Sequence, residues 1–479
     1  MHPIESALPK TTESGRAGMR HQTKTGAGSN AERMRMTGTK SIEGVPKERL
    51  LPVDWSGFTD FGREVEVFAP RNESNIRSVV RYCRSQNKKL RMVGLRTSWN
   101  ALWYSPDVMM SANHLTAIKE IDPRNHTVTC EPGITLEGLH KALWEKGLAL
   151  PTAPAPGWVT LGGALSTGSH GSGPPSISSS LIGCRLVTGD GEVIEIGEND
   201  ERLDAVRLSL GMLGVMSMVT LRVVDTFYVK LSQTRIPTSD WKRFLAEGEM
   251  SYLLWFAHTD SSLLARVDII PNPARTPVRC GPPPPETNSV EFISKYIRGV
   301  NEVANIHPWT FPARSRYIKD VLFPEGEVTG PVHEVLMSFQ AIGPIAGAEW
   351  AVPVPRFDAA MADLEKEMAN GLYLPAPVWL KKVKSDTAWL SAADEDCVQC
   401  GIYHNVNPGT PWHVRDMVSR VEHLMLRHRG RPHLGKLIYL SPAELKSVYP
   451  NWPKFDALRR KLDPAGVFWT DRMEARFGA

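Results

Sequence analysis

A chain of 479 residues is too long for one ordinary hydrophobic core, so its length predicts two domains. Its hydrophobic content of 42% and charged content of 23% are typical of a globular protein. The net charge of +4 comes without a run of Lys and Arg, which excludes nucleic acid as an expected partner, and no stretch of about 18 apolar residues predicts a membrane span.

The first segment, residues 1–45, is polar and rich in Gly, Ser, Thr, Lys and Arg, which predicts a disordered tail. A transit peptide is the alternative, although Glu5, Glu13 and Glu32 are unusual in such peptides. Because the segment carries no apolar core of a signal peptide, we expect a cytoplasmic protein.

Hydrophobic periodicity predicts an α+β arrangement up to about residue 228. The predicted elements, in chain order, are a strand in EVEVFAP, a helix in NESNIRSVVRYCRSQNKK, a strand in KLRMVG, two strands around DPRN, a helix in TLEGLHKALWEKGLAL, a hairpin in LIGCRLVTGDGEVIEI, and a helix followed by a strand in DAVRLSLGMLGVMSMVTLRVV. Asn72 or Ser74 is expected to cap the first helix, and Thr135 the second, because these side chains accept hydrogen bonds from free backbone N–H groups.

The second half of the chain has longer strand patterns. They are MSYLLWFAHTD, LLARVDIIP, EVLMSFQAI and AEWAVPVP, and the helix patterns are FDAAMADLEKEMANG and WHVRDMVSRVEHLMLRHRG. These strand and helix patterns together predict a sheet that is covered on one side by helices. CVQC (397–400) lies in a strand-like segment, where its two cysteines would point to opposite faces, so we expect neither a metal site nor a disulfide there.

The segment LSTGSHGSG (165–173) is rich in Gly and Ser. Gly168 and Gly171 let the backbone approach a ligand closely, and Thr167 and Ser169 add hydroxyl donors. Its spacing matches neither the Walker loop nor the dinucleotide fingerprint, but such a lining suits an anion such as a pyrophosphate. The alternative is an ordinary surface loop, and for His170 we expect a positioning role rather than a catalytic one.

The segment RPHLGK (431–436) places Arg431, His433 and Lys436 within six residues. A lysine fixed near an electron-poor ring can stabilise negative charge that develops on that ring. The alternative is the solvated end of a strand.

A family resemblance connects these segments. VGLRTSWN (93–100), IKEIDPRNHTVTCEPG, TLGGALSTGSHGSG, LVTGDGEVIE and SLGMLGVMSMVTLRVV together resemble the FAD domain of the vanillyl-alcohol-oxidase-type flavoproteins. RPHLGK followed by VYPNWPKFDALRRKLDPAGVFWT is similar to the sugar-1,4-lactone oxidase and alditol oxidase branch, the aldonolactone oxidoreductases. The resemblance covers most of residues 48–475.

The resemblance implies an α+β fold with a bound FAD. A two-part FAD-binding domain would occupy residues 46–228, and a cap domain built on a large antiparallel sheet would occupy residues 229–430. The C-terminal segment, residues 431–479, would return to the flavin.

By matching position, the resemblance also implies the residues that contact FAD. They are Gly94, Leu95, Arg96, Thr97, Ser98, Trp99, Thr167, Gly168, Ser169, His170, Gly171, Gly214, Val215 and Lys436. The two glycine-containing turns would hold the pyrophosphate, and Gly214 and Val215 would lie near the adenosine. Lys436 would lie by the N1/C2 edge of the flavin, with His433 in the same cavity.

The sequence departs from this family first at Thr97. Many members carry a His at this place in a GGHS-like turn, and that His bonds covalently to the flavin. Thr97 has no imidazole nitrogen, and residues 150–175 contain no Cys, so we expect non-covalent FAD.

A second departure lies on a strand of the predicted cap. The branch carries a Glu-x-Arg pair there that binds sugar hydroxyls, and counting along the chain gives Trp379 and Lys381. Either the alignment is shifted by two residues, or an aromatic face has replaced the carboxylate and could stack on a sugar ring or a flat apolar substrate.

The third departure concerns the electron acceptor. Oxidases of the branch have Gly at one position beside the flavin, where dehydrogenases have Ala. Counting back from Asp122 gives Asn113, with Ala112 beside it. The sequence therefore allows either O2 or another molecule as the electron acceptor.

The resemblance implies an FAD-dependent oxidoreductase that oxidises a CH–OH or CH–NH group of a polyol, sugar or cyclitol-like molecule by hydride transfer to flavin N5. The altered cap residues favour a substrate of a specialised biosynthetic pathway. The proton acceptor is His433, His404 or Lys381, and Lys436 would stabilise the reduced flavin. The candidate substrate-binding residues are Trp379, Lys381, His404 and Asn113, and no metal is expected.

Two other functions stay open from the sequence. One is an aldonolactone dehydrogenase or oxidase of an ascorbate-like pathway. The other, from a different class, is a flavin-binding protein without redox turnover, which the missing Glu-x-Arg pair would allow.

Overall fold

The strands of the chain pair into several separate sheets. The structure is a computed structural model that describes residues 41–62, 64–271, 279–280, 307–321, 323–337, 345–405 and 412–478. Within these residues the strands form a four-, a five- and a nine-stranded sheet and a two-stranded ribbon. Residues 1–40 of the predicted tail lie outside the described residues.

The bounds of the elements are as follows. The strands are β1 (Lys47–Leu50), β2 (Val65–Phe68), β3 (Leu90–Val93), β4 (Val108–Ser111), β5 (Ile118–Asp122), β6 (Thr127–Cys130), β7 (Leu148–Ala149), β8 (Leu181–Val187), β9 (Val193–Ile196), β10 (Val215–Arg222), β11 (Val224–Asp225), β12 (Tyr228–Pro237), β13 (Tyr252–Trp255), β14 (Ser261–Ile270), β15 (Arg279–Cys280), β16 (Gly326–Pro331), β17 (Ile345–Pro353), β18 (Val378–Val383), β19 (Cys397–Asn405) and β20 (Arg431–Pro432). The helices are α1 (Glu73–Ser85), α2 (Leu136–Trp144), α3 (Leu161–Thr167), α4 (Leu203–Arg207), α5 (Arg243–Ala246), α6 (Phe311–Val321), α7 (Val332–Leu336), α8 (Val354–Ala369), α9 (Trp412–Arg427), α10 (Pro442–Ser447), α11 (Trp452–Leu462) and α12 (Asp471–Phe477).

The helix caps follow from local sequence. The side chain of Asn72 accepts a hydrogen bond from the backbone of Asn75 at the start of α1, and Thr135 does the same for Gly138 at the start of α2. The expected caps at these two positions are therefore confirmed, with Asn72 rather than Ser74 at α1.

The first half of the chain forms the two smaller sheets. The four-stranded sheet has the order β1-β2-β4-β3, and the five-stranded sheet has the order β5-β6-β10-β8-β9. β3 runs parallel to β4, and β8 pairs antiparallel with β9 as the predicted hairpin. The turn that follows β3 therefore leaves the end of a sheet strand, which fixes its position.

The second half forms the nine-stranded sheet, in the order β15-β16-β12-β14-β13-β18-β19-β17-β20. One face of this sheet buries Trp350, Leu380 and Cys400 against Phe357 of α8 and Val421 of α9. Side chains alternate along a strand, so the residues between these point to the opposite face, which is free for a binding site. The predicted large antiparallel sheet with helices on one side is confirmed, and CVQC lies inside β19.

One predicted strand is wrong. The pattern EVLMSFQAI suggested a strand, but Val332–Leu336 is the helix α7, and residues 338–344 lie outside the described residues. Pro331 supplies the fixed backbone angle of a helix start, and this outweighs the β-branched side chains that follow it.

The C-terminal segment returns to the first half of the chain. β20 pairs with β17 at the edge of the large sheet. After it, Leu434, Tyr449 and Phe455 pack in the same hydrophobic cluster as Leu139 and Leu165. This packing brings the RPHLGK segment between the two halves. Within the described part of the chain, every helix is too short or too polar to cross a membrane.

Candidate active site

A cavity of about 570 Å³ opens between the sheet of the second half and the turns of the first half. The sequence-predicted residues that line it are Thr97, Ser98, Trp99, Thr167, Ser169, His170, Trp379, Lys381, His433 and Lys436. Residues from four separate segments of the sequence therefore meet in this one place, which we call the main cavity.

A second cavity of about 130 Å³ adjoins the first. It is lined by Gly94, Leu95, Arg96, Thr97, Ser98, Thr167, Gly214 and Val215, among others. Thr97, Ser98 and Thr167 line both cavities, so the two spaces meet at these residues. A long ligand with a flat ring at one end would therefore fit across the junction.

The turn after β3 is held close to its neighbours by its glycine. A Cβ atom on Gly94 would lie 2.1 Å from Oγ1 of Thr160, so a larger residue would push the turn away from the start of α3. Arg96 has a left-handed φ of 55° and donates a hydrogen bond to the carbonyl of Val53 at 3.0 Å. These contacts fix the wall of the smaller cavity.

The charge of the smaller cavity suits a pyrophosphate. Arg91 and Arg96 are among its described lining residues, and none of the described lining residues is a carboxylate. Arg91 is buried and donates hydrogen bonds to the carbonyls of Leu210 and Gly211, which brings these backbone groups to the cavity. Cationic and backbone N–H groups without opposing carboxylates fit the diphosphate of FAD.

The C-terminal loop meets this first turn directly. The backbone N–H of Trp99 donates to the carbonyl of Gly435 at 3.2 Å, and the side chain of Asn100 donates to the carbonyl of Leu434. These bonds bring Lys436 of the C-terminal segment to the main cavity beside this turn.

A buried carboxylate, Glu349 on β17, lies at the centre of the main cavity wall. Its Oε1 is 3.0 Å from Nε2 of His170, its Oε2 accepts a hydrogen bond from Tyr403 at 3.0 Å, and Nζ of Lys436 lies 3.8 Å away. Burial would raise the pKa of Glu349, but His170 and the nearby Lys436 and Lys381 bring this pKa well below its usual value. Glu349 is therefore a carboxylate.

The charge of His170 follows from its hydrogen bonds. Nδ1 lies 2.9 Å from the carbonyl of Gly171, which can only accept, so Nδ1 carries a proton. Nε2 faces the ionised Glu349 and also donates. His170 is thus an imidazolium that is paired with Glu349, which supports the expected positioning role.

Two glycines make room for Tyr403. A Cβ atom on Gly347 would lie 2.5 Å from Cδ1 of Tyr403, and one on Gly401 would lie 2.8 Å from its Cε2. The absence of both side chains lets the tyrosine ring lie along the sheet and bring its hydroxyl to Glu349. Burial and the neighbouring Glu349 raise the pKa of Tyr403 well above its usual value, so this hydroxyl stays protonated.

Lys436 is held between aromatic rings. Its Nζ lies 4.5 Å from the ring centre of Trp99 and 5.0 Å from that of Tyr403. Burial lowers the pKa of Lys436 to about 8, and Glu349 acts in the opposite direction. The amine is therefore mainly protonated at neutral pH, as a stabiliser of negative charge requires.

His433 is a neutral imidazole, and one of its two ring nitrogens already accepts a hydrogen bond. Its Nδ1 accepts a hydrogen bond from the backbone N–H of Gly435 at 3.0 Å, and burial lowers its pKa to about 3. The proton of the neutral ring is then on Nε2, so His433 donates a hydrogen bond and has no free lone pair for a substrate proton.

Trp379 and Lys381 lie on β18 and both line the main cavity. The ring of Trp379 stacks on that of Tyr252 at 5.8 Å, and Nζ of Lys381 lies 5.5 Å from the ring centre of Trp379. Burial lowers the pKa of Lys381, and Glu349 acts in the opposite direction. Gly401 on β19 pairs with Trp379 of β18 on one side and with Glu349 of β17 on the other, so Trp379 and Glu349 lie in register two strands apart.

Two predicted substrate-binding residues lie outside the two cavities. His404 follows Tyr403 on β19 but does not line the main cavity, and its ring packs edge-to-face against Phe311 of α6. Asn113 is exposed and donates a hydrogen bond to Glu48, whereas Ala112 lines the smaller cavity.

Two predicted cofactor-binding residues also need correction. Gly171 lines neither cavity, and its lack of a side chain instead allows the carbonyl of Ala153 to approach. Gly168 lines a separate chamber of about 20 Å³ behind His170. Gly168 adopts a left-handed φ of 70° and ends α3.

Sequence reasoning missed three features of the main cavity. Glu349 is the most important, and a lone acidic residue inside the apolar strand AEWAVPVP was the available signal. Arg314 of α6 also lines the cavity, and burial lowers its pKa to about 10. Trp55 and Trp158, with ring centres 5.2 Å apart, add an aromatic wall.

Two protein-family models match this chain. Residues 219–476 match the family described as D-arabinono-1,4-lactone oxidase, and residues 66–197 match the FAD binding domain family. The first match covers more than half of the chain.

Curated relatives span most of the chain. L-gulonolactone oxidase of Scyliorhinus torazame is 26% identical over 446 residues, which are 88% of this chain and 97% of the relative. L-gulono-1,4-lactone dehydrogenase of Mycobacterium tuberculosis is 26% identical over 417 residues, or 85% of this chain and 94% of the relative. D-arabinono-1,4-lactone oxidase of Candida glabrata is 28% identical over 225 residues, or 44% and 43%.

Among solved structures, cholesterol oxidase from Brevibacterium sterolicum is similar in fold, with a TM-score of 0.78 and 18% identity over 92% of this chain and 99% of that chain. Together with the cavities, the family matches account for the fold, the cofactor and the class of reaction. The chain belongs to the D-arabinono-1,4-lactone oxidase family and is an FAD-dependent oxidoreductase.

Proposed function

We propose that the protein oxidises a hydroxyl group of a sugar 1,4-lactone to a carbonyl group. The names of its full-length relatives, L-gulonolactone oxidase and L-gulono-1,4-lactone dehydrogenase, support this substrate class. The polyol or cyclitol expected first from the sequence has no such support. The observation that carries the proposal is the position of Lys436, which lines the main cavity and lies between Trp99, Tyr403 and Glu349.

FAD bound across the two cavities would supply the acceptor for the hydride of the substrate carbon. The turn at Gly94–Ser98 with Arg91 would hold the pyrophosphate, and the main cavity would hold the ring and the lactone. Lys436 would stabilise the negative charge of the reduced ring, since its ammonium is fixed by two aromatic rings and a carboxylate before the reaction begins.

Lys381 is the best candidate for the proton acceptor. The sequence left His433, His404 and Lys381 open, but His404 does not line the main cavity and the Nδ1 lone pair of His433 is occupied. Lys381 lines the main cavity, and burial lowers its pKa, which increases the fraction of neutral amine. A neutral amine accepts the hydroxyl proton as the hydride leaves the same carbon.

Water exclusion and orientation come from the rest of the wall. Trp379 and Trp55 offer flat apolar faces to a sugar ring, and the neutral His433 offers an N–H donor to a substrate oxygen. Glu349 is already bonded to His170 and Tyr403, so its role is to fix these groups and Lys436 rather than to bind the substrate.

A flat, less polar CH–OH substrate is the second candidate. The specific observation is Trp379, which stacks on Tyr252 at the place where the branch carries a carboxylate for sugar hydroxyls. Anaerobic titration of the flavin band with L-gulono-, L-galactono- and D-arabinono-1,4-lactone distinguishes the two. Bleaching by a lactone supports the first, and bleaching only by cyclitols or aromatic alcohols supports the second.

A further inference from the structure

A small chamber of about 20 Å³ lies behind the main cavity. Thr167, His170 and His433 line both spaces, so these three residues form the wall between them. Ser176, Asp386 and Gln399 also line the chamber, and its volume is sufficient for one water molecule. The chamber is therefore small, polar and adjacent to the reacting groups.

Gln399 provides independent evidence for a bound molecule. Its side chain is buried, at 2% exposure, and its Oε1 has no hydrogen-bond partner among the described residues. A buried carbonyl oxygen without a partner is costly, and ordered water commonly supplies the missing hydrogen bond. The chamber that Gln399 lines can supply it here.

The chamber is next to the proposed proton acceptor. Gln399 on β19 is the direct cross-strand partner of Lys381 on β18. Side chains of such partners project from the same face, with their Cβ atoms about 5 Å apart. Lys381 lines the main cavity and Gln399 lines the chamber, so this pair connects the two spaces along the sheet.

Asp386 forms the other end of the chamber. Its Oδ2 accepts a hydrogen bond from Ser176 at 2.8 Å, and its Oδ1 accepts one from the backbone of Ala388 at 3.1 Å. The residue is only partly buried, and its neighbours Ser385 and Thr387 are exposed, so it also reaches the surface. Burial raises the pKa of Asp386, which helps this carboxylate to accept a proton.

We propose that this chamber holds an ordered water molecule, and that the water and Asp386 carry the substrate proton from Lys381 to solvent. The proposal rests on the proposed function. The O–H bond breaks, its proton binds to the neutral amine of Lys381, and its electron pair forms the second bond of the carbonyl group, while bound FAD would take up the hydride of the same carbon. The ammonium gives a proton to the water, the water gives one to Asp386, and Asp386 releases one to solvent, so Lys381 returns to its neutral form.

The groups that face Asp386 are compatible with this role. Ser176 and Ser391 donate hydrogen bonds to it, and Arg207 is the charged group that lowers its pKa. His170 and His433 face the same chamber. His433 is neutral, and the charge of His170 is balanced by Glu349, so neither ring places an uncompensated charge beside Asp386.

The test compares Asp386→Asn and Gln399→Met with wild type, and uses Asp396→Asn as the control. Asp396 is an exposed carboxylate that pairs with Lys384 and does not line the chamber. For each variant, the rate of steady-state turnover of the lactone with a dye acceptor is measured in H2O and D2O across pH, with the Kd of the lactone and the FAD content. For Asp386→Asn and Gln399→Met we expect turnover about tenfold slower, a factor that corresponds to a small rise of the barrier, with a larger solvent isotope effect and unchanged Kd.

Sodium formate provides a chemical rescue, because a small carboxylate can replace that of Asp386. Partial recovery of the Asp386→Asn rate by formate, with Asp396→Asn like wild type, is expected. The proposal is overturned if Asp386→Asn and Gln399→Met turn over at the wild-type rate with the same isotope effect, or if they lose lactone binding instead. If no lactone bleaches wild type, the proposed substrate is wrong, and the relay is measured with the alcohol that does bleach it.

Discussion

His170 and Glu349 form a buried ion pair, with Nε2 and Oε1 3.0 Å apart and side-chain exposures of 4% and 3%. One partner follows α3 in the first half of the chain and the other lies on β17 of the large sheet. The pair therefore fixes the loop that borders both cavities against the wall that carries Tyr403 and Lys436.

Glu349→Gln is expected to destabilise the protein by about 3–5 kcal/mol, because it leaves the imidazolium of His170 buried without its counter-ion. The pKa of Glu349 lies well below 4.5, the value of an ordinary glutamate. Its stabilisation is therefore complete above about pH 4.5 and is lost as the pH falls through the lowered pKa. Urea unfolding of both proteins between pH 3 and 7 measures this.

Glu327→Gln is the matched control for this prediction. Glu327 lies on β16 of the same sheet, but it is exposed and pairs with Lys230 at the surface. Little change in stability is expected at any pH. Equal unfolding curves for Glu349→Gln and Glu327→Gln would refute the role of the buried pair.

Replacement of Lys381 tests the proton acceptor. Lys381→Met should slow flavin reduction about 100-fold, a typical loss for a general base. Lys381→Arg should be equally slow, because a guanidinium keeps the charge but cannot be deprotonated near neutral pH. The readout is the limiting rate of anaerobic reduction. Recovery of the rate in Lys381→Arg would mean that the residue acts only through its charge.

Gly401 should tolerate no side chain. In Gly401→Ala, the new Cβ would lie 2.8 Å from Cε2 of Tyr403 and displace its hydroxyl from Glu349. We expect turnover to fall about 10- to 100-fold, since a misplacement of ~1 Å can cost ~100-fold in rate. Gly326→Ala on β16 is the control, because a Cβ there meets no atom within 4 Å. Steady-state rates and flavin content are measured for both, and wild-type turnover in Gly401→Ala would contradict this arrangement.

FAD should be held without a covalent bond. Thr97 lies at the junction of the two cavities and carries no nucleophilic nitrogen. Both nitrogens of His170, a histidine of the cavity wall, are already bonded. Acid precipitation should therefore leave all the yellow colour in the supernatant, as measured by its absorbance. Colour that stays in the pellet would show a covalent link.

We predict that Ala112, rather than Asn113, occupies the position that the family resemblance connects with the electron acceptor. Ala112 lines the smaller cavity, whereas Asn113 is exposed. With Ala at this place, slow reoxidation by O2 and faster transfer to a dye acceptor are expected. Ala112→Gly should speed reoxidation by O2 about tenfold, which corresponds to ~1.4 kcal/mol of barrier, and Asn113→Ala should not. The rate of flavin reoxidation in air-saturated buffer decides between them.

The sequence predicted the residues that act within short motifs. Lys436, His433 and the Gly94–Ser98 turn each lie in a compact segment whose chemistry is visible locally. Glu349 was missed because its partners, His170, Tyr403 and Lys436, come together only in the fold.

Positions assigned by counting along the chain depend on single residues. Asn113 was assigned in this way, but its neighbour Ala112 is the residue that lines the smaller cavity. Trp379 and Lys381 were also assigned by counting, and the structure brings both side chains to the main cavity. His404 was chosen for its imidazole alone, and its contact with Phe311 becomes visible only in the fold.

The most direct test of lactone oxidation is anaerobic stopped-flow mixing of the purified holoenzyme with L-gulono-1,4-lactone, followed at the flavin band for wild type and Lys436→Met. The account predicts rapid bleaching in wild type and about 100-fold slower bleaching in Lys436→Met, because the loss of one preorganised charge-stabilising group typically costs this much. Wild-type flavin that stays oxidised with this and the other aldonolactones, or equal rates in the two proteins, would contradict it.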